Sequence, residues 1–407
     1  MEKVERLWNR NFSIITIGSF ISMLGGVAAN FAMGLFVYRE TDSILMFALF
    51  IAINHVPTII LAPIIGPYID THSRKKIIVG LDFLFGFLFL GVAYAIYQIG
   101  FDIAIYLVIS FFISLLGSIY RAAYEGLYPD TITKGKMQKA YSISSLIWPV
   151  SQIIVMPIVV SVYDYIGIEG IMIINAISYF IAAMAETLIN VKESIKVNST
   201  SSFVTDFKES ISYLREEKGI FALNIRSFFT SLTWGAIMSV MLPYFETTPG
   251  FGADKYAKLA LFMTGARVVT GLLHSTVIKY PVKYKFRISF IIHIVLEIPT
   301  FLIFIIPLLG MQILWTIIGA LGIITIVIRE SAIKSYIPGV IRGRLATIMI
   351  VVNSVALISG TLLGGFIAEN CGYKYIGFIF GILGLCATIT IFTRYGKQMS
   401  KVYNVEV

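Results

Sequence analysis

The chain has 407 residues, of which 57% are hydrophobic and only 14% charged, with a formal net charge of +9. An ordinary soluble protein carries about a quarter charged residues, so the composition excludes a soluble globule. The placement of the positive charge, set out below, assigns it to membrane topology rather than to nucleic acid.

The apolar residues arrive in blocks of roughly twenty, the length a helix needs to cross about 30 Å of hydrocarbon. Inside lipid each backbone amide must find its partner within the chain, so such blocks are read as helices. Twelve are legible: 12–38, 44–69, 77–99, 103–124, 140–163, 167–191, 220–245, 257–278, 288–309, 311–333, 345–368 and 376–393. The opening "MEKVERLWNRNF" is short and charged and lacks the layout of a cleaved signal, so the first block reads as retained. Cys371 and Cys386 form no framework of pairs that would call for disulfides.

Lys and Arg in the loops set orientation. Of the 32, twenty-six fall on the side of the N-terminus and four on the other, while Arg226 and Arg267 lie within segments. This predicts a multi-pass protein of a plasma or bacterial inner membrane with both termini cytoplasmic. The longest polar interval, 192–219, separates an N-terminal six-helix half (1–191) from a C-terminal one (220–407). It opens on the flexible run "NSTSS". Val204, Phe207, Ile211 and Leu214 then share one face of an amphipathic helix expected along the cytoplasmic surface.

The halves echo each other. Arg121, Tyr128 and the "KGK" at 134–136 recur 208 residues later as Arg329, Tyr336 and the "RGR" at 342–344. Gly66, Asp70 and Arg74 find a fainter echo, at an offset of 205, in Gly271, Ser275 and Lys279. Two parallel repeats of six helices are one of the large transporter layouts. The expected fold is therefore all-α integral membrane, with twelve transmembrane helices in two pseudo-symmetric six-helix halves.

The tight loop between the second and third blocks, "GPYIDTHSRKK", places Gly66, Asp70, Arg74 and Lys75 at helical steps. A glycine there lets another helix approach closely, and an aspartate one turn later suits the positive end of a helix. This loop resembles the signature loop of the major facilitator superfamily, with Tyr68 and Ser73 departing from its usual residues. The resemblance implies that Asp70 faces the start of the eleventh segment, around Arg342 and Arg344, as a cytoplasmic latch. In it Arg74 would pair with Asp130 or Glu125. The stretches "FKESISYLREEKGIFALNI", "IPGVIRGRLATI" and "GTLLGGFIAENCGY" are similar to the drug:proton antiporter branch that holds macrolide-efflux-type and enterobactin-exporter-type proteins. That likeness implies a central cavity opened alternately to either side. Two departures weaken the proton part: Ser114 stands where many such exporters carry an arginine, and the Gly-Pro run of the fifth segment is reduced to "IIVMPIVV".

Ionisable residues inside a membrane are costly and suggest function. Arg267 and Glu297 lie fifteen residues to either side of Val282, so adjacent antiparallel helices would bring them to one depth as an ion pair. That pair is either a structural staple or a proton-coupling site. His293, one turn from Glu297, and His55, before Pro57, are the other proton candidates. The alternative for His55 is a buried ring satisfied by a carbonyl that Pro57 frees. Asp82, Glu125, Glu186, Arg226, Arg329 and Glu330 lie near segment ends, where they are expected to snorkel or pair. Candidates for the cavity wall are Asn30, Gln152, Trp148 and Trp234, against which stands simple packing.

The chain carries no P-loop, and its four His and two Cys make no metal site, so no enzyme, cofactor or metal is expected. The sequence reads as a monomeric secondary exporter of an amphipathic small molecule such as a drug, macrolide or siderophore, exchanged for protons amid membrane lipid, without nucleic acid. A lipid or lysolipid flippase on the same fold and a transport-inactive receptor or scaffold stay open.

Overall fold

A computed structural model describes residues 7–62, 64–133, 135–193, 203–276 and 280–405. Among them the regular structure is helical throughout, apart from two short 3-10 turns. The helices are α1 (Arg10–Thr41), α2 (Ile44–Ile53), α3 (Val56–Leu61), α4 (Ile65–Thr71), α5 (Arg74–Ile99), α6 (Ile103–Leu127), α7 (Met137–Glu186), α8 (Phe203–Glu216), α9 (Lys218–Thr247), α10 (Ala253–Thr276), α11 (Lys285–Leu302), α12 (Leu308–Tyr336), α13 (Gly339–Cys371), α14 (Tyr373–Arg394) and α15 (Gly396–Tyr403).

Local chemistry explains the boundaries. Ser43, Ser73 and Asp102 cap α2, α5 and α6, each side chain accepting from a backbone N–H three residues on. The second apolar block is not one helix but three. Pro57 lacks an N–H and its ring opposes the carbonyl four residues back, and α2 ends at that residue, Ile53. α7 contains two crossings, because Gly167 adopts φ 66°, a left-handed conformation that breaks the helix and favours glycine.

Among the described residues ten helices are long and apolar enough to cross a bilayer. One of these is the α7 pair, and α11, with 18 residues and three charges, covers most of the ninth apolar segment without being among the ten. The twelve segments of the sequence are thus accounted for.

The chain divides into two compact units, residues 1–41 with 60–200, and 42–59 with 201–407. In the first, α7 packs along α1 and α5. In the second, α9 packs on α13, α10 on α12, and α11 on α14; α2 also lies against α13. The α9–α13 crossing is built from small residues. A Cβ added to Gly360 would run into the Leu232 carbonyl, one on Gly235 into that of Leu357, and one on Gly364 would stand 2.6 Å from that of Ala236.

The amphipathic α8 packs on the second unit. Leu214 is buried in its core with Ile211 and Tyr213 alongside, and Arg344 pairs with Glu209. The "NSTSS" run, the side chains of Val204 and Phe207, and Lys134, Ser275 and Lys279 of the repeat echoes (for Ser275 the side chain only) lie outside the described residues. The equivalent tyrosines of the repeat have different partners: Tyr128 donates to the Ala140 carbonyl and Tyr336 to Glu217. α15 was not legible as a separate helix. It buries Met399, Val402 and Tyr403, and Asn404 beyond it accepts from the Phe286 backbone N–H.

Candidate functional site

The second unit encloses a cavity of about 320 Å³, walled by α9, α10, α11, α12 and, through Asn353, α13. Trp315 and Arg329 both line it and stand fourteen residues apart on α12, so the cavity runs about 21 Å along that helix. Its apolar side is formed by Trp234 and Trp315, whose rings lie 6.3 Å apart, together with Ile237, Ile303, Ile318 and Ile326. Its polar side carries Arg226, Arg267, Arg329, Glu297, His293 and a row of hydroxyls.

Glu297 is 5% exposed and does not pair with Arg267. Its Oε1 accepts from Arg226 at 2.8 Å and from the Thr388 hydroxyl at 3.3 Å. Gly384 gives it room, since a Cβ there would collide with the carboxylate. Counting residues from the loop fixed the height of Arg267 and Glu297 but not their facing. α10 packs on α12 and α9, whereas α11 packs on α14 and α12, so helices adjacent in sequence are not principal neighbours. Arg226, expected to snorkel at a helix end, is instead the buried cation at 5% exposure. Arg329, likewise expected at an end, lines the cavity, donating to Glu330 at 3.1 Å and to the Ser227 hydroxyl at 3.3 Å. His293 places Nδ1 2.6 Å from the Ser289 carbonyl, so its ring is oriented by its own helix.

Four residues singled out from the sequence, Arg267, His293, Glu297 and Trp234, therefore share one cavity. Others do not line it. Trp148 is 45% exposed, Asn30 is exposed on α1, and Gln152 is half-buried on α7. His55 sits half-buried at the break between α2 and α3. Trp315 was missed; its only signal was another tryptophan mid-segment.

In the first unit Asp82 of α5 and Glu186 of α7 are fully buried rather than reaching water. Their carboxyl groups face each other, and the tyrosines Tyr120 and Tyr179 surround them. No cationic side chain pairs with either among the described residues. The sequence reading found no deep acid in this half. It judged depth by distance from a segment end and so passed over these two.

The signature-loop residues gather at the start of α5. Arg74 is 6% exposed and lies 3.4 Å from Asp70 and 3.5 Å from Asp130, and it donates to the Gly126 carbonyl at 3.2 Å. Glu193 accepts from the Arg74 backbone N–H and from Ser73. Lys75 donates to the Thr187 carbonyl, and Arg342 to that of Ile337. Glu125 is exposed and makes no ion pair among the described residues. A Cβ added to Gly66 meets nothing within 4 Å among the described residues. One added to Gly126 would stand 2.7 Å from Arg74 Nε. Gly126→Ala is expected to push the guanidinium off its carboxylates and cost about 1–3 kcal/mol. A double-mutant cycle with Asp130→Asn checks this, because the two losses should then fail to add.

The family model of the Major Facilitator Superfamily matches residues 15–283. Macrolide efflux protein A of Streptococcus pyogenes is 23% identical over 257 residues, covering 61% of this chain and 63% of that protein, so the match spans less than two thirds of the relative. The MFS-type transporter YkuC of Bacillus subtilis strain 168 is 24% identical over 98% of this chain and 95% of its own. Among solved structures, the nucleoside transporter NupG superposes with a TM-score of 0.71 at 13% identity, covering 94% of this chain and 98% of that one.

Proposed function

This chain belongs to the major facilitator superfamily, and from that premise we propose that it is a secondary exporter of an amphipathic small molecule, driven by exchange for protons. It works by alternating access, with both termini facing the cytoplasm. One observation carries the reading: a cavity lined both by two tryptophans and by a buried Arg226–Glu297 ion pair. The tryptophans receive an apolar body. The ion pair is a switch, because a proton on Glu297 and a ligand at Arg226 each compete for the same bond. Asp82 and Glu186 supply a second place for a proton, since two neighbouring buried carboxyls repel when both are charged. The Asp70–Arg74–Asp130 cluster acts as a latch of the cycle. The similarity to macrolide efflux protein A supports a drug-like cargo.

Everted vesicles with an imposed pH gradient test this, using a labelled macrolide and, in parallel, a labelled lysophospholipid. Glu297→Gln should lose gradient-driven flux of the macrolide while keeping its binding, because glutamine can still accept from Arg226 but cannot take up a proton. Normal pumping by the variant would make the pair structural. Flux of the lysophospholipid alone would make the protein a flippase, and binding without any flux a receptor.

A further inference from the structure

We infer that the cavity of the second unit recognises an acidic group, a carboxylate, phosphate or sulfonate, on the molecule it binds, with Arg267 as the cation that holds it. The inference narrows the exporter reading from amphipathic molecules in general, basic macrolides among them, to acidic ones, and rests on it only for the statement that the bound molecule is transported.

Charge around the cavity does not balance. Three arginines line it and one carboxylate, Glu297. Arg226 is matched by Glu297 and Arg329 by Glu330. Arg267, midway along α10, forms no ion pair among the described residues, and its Nε is buried with no hydrogen-bond partner there. Arg267 is half-buried, and an ionisable residue within a membrane-spanning helix marks a ligand path.

The unused hydrogen-bonding groups tell the same story. Arg226 Nε, Arg329 Nε and Trp315 Nε1 are also buried without a partner among the described residues, and all belong to residues of this cavity wall. With Arg267 Nε they are obligate donors, unable to accept. Among the same buried atoms Thr233 Oγ1 can donate or accept, and Asn353 Oδ1 accepts. A wall with one excess positive charge among the described residues repels a cationic amphipath and finds no counter-charge in a neutral one. An anion answers the excess charge, its oxygens meeting the Arg267 guanidinium while its apolar body lies on Trp234 and Trp315.

Tryptophan emission, to which Trp234 and Trp315 contribute, reads the binding directly on the full chain in phosphatidylcholine nanodiscs. Three probes of one shape are titrated: 4-phenylbutyrate, its neutral amide, and 4-phenylbutylamine. The parent should bind the carboxylate at least about tenfold more tightly than the amide, the scale of a charge-assisted hydrogen bond, and the amine least of all. Arg267→Gln should erase the advantage of the carboxylate while leaving the amide unchanged, and Arg267→Lys should restore part of it. Thermal unfolding controls for folding: removing an unmatched charge should leave the midpoint equal or higher. Nanodiscs doped with phosphatidylglycerol distinguish a lipid headgroup from a free acid, since headgroup binding would weaken the carboxylate in the parent and not in Arg267→Gln. The proposal is overturned if the amine binds as well as the carboxylate, if Arg267→Gln keeps the preference, or if that variant loses all three probes together with its thermal stability. Carboxylate preference without flux in the vesicle assay would sink the exporter reading and leave the anion site standing. Macrolide flux indifferent to Arg267, with no carboxylate preference, would do the reverse.

Discussion

Replacing Arg226 by leucine is expected to destabilise the protein by about 3–5 kcal/mol, the cost of stripping a buried carboxylate of its partner. Glu297 is 5% exposed, and without Arg226 it keeps only the Thr388 hydroxyl as a donor among the described residues. The double variant Arg226→Leu/Glu297→Leu should recover most of that loss, because two apolar side chains of suitable volume remove both desolvation costs at once. Unfolding midpoints of the two single variants and the double variant complete the cycle. If the double variant is as unstable as Arg226→Leu alone, the bond between these two groups is not what holds α9, α11 and α14 in place.

The second large effect concerns the α9–α13 crossing. Gly360→Val should cost at least about 1–3 kcal/mol, the range for overpacking, and more if the helices cannot part. The obstacle is the Leu232 carbonyl, a backbone atom that no rotamer change can move aside. Gly91→Ala is the natural control. It lies within α5, and its added methyl meets nothing within 4 Å. There alanine should be neutral or stabilising by up to about 1 kcal/mol, the difference in helix propensity. Equal midpoints for Gly360→Val and the parent would show that the crossing is loose and that close approach of these two backbones is not needed.

The proposed site was legible from the sequence in its parts and not in its assembly. Glu297, Arg267, His293 and Trp234 could be named because each is an unusual residue type deep in an apolar segment. Their common cavity could not be named, and neither could the partner of Glu297. Arg226 and Trp315, which complete the wall, carry no local mark that separates them from a snorkelling cation or a packing aromatic. Asp82 and Glu186 were placed at segment ends by counting, yet lateral packing of α1, α5 and α7 closes over both.

The sequence by itself determined that the chain crosses a membrane as helices, where those helices run, and that they come in two repeats of six. Hydrocarbon enforces this locally: an apolar block about twenty residues long has one way to satisfy its amides. Tertiary structure alone decided which helices touch, and therefore which charges meet. Azimuth around a helix and the order of helices in a bundle depend on contacts between distant segments. A glycine at position 384 that admits the Glu297 carboxylate, and an Arg267 left without a counter-charge among the described residues, are facts of that packing.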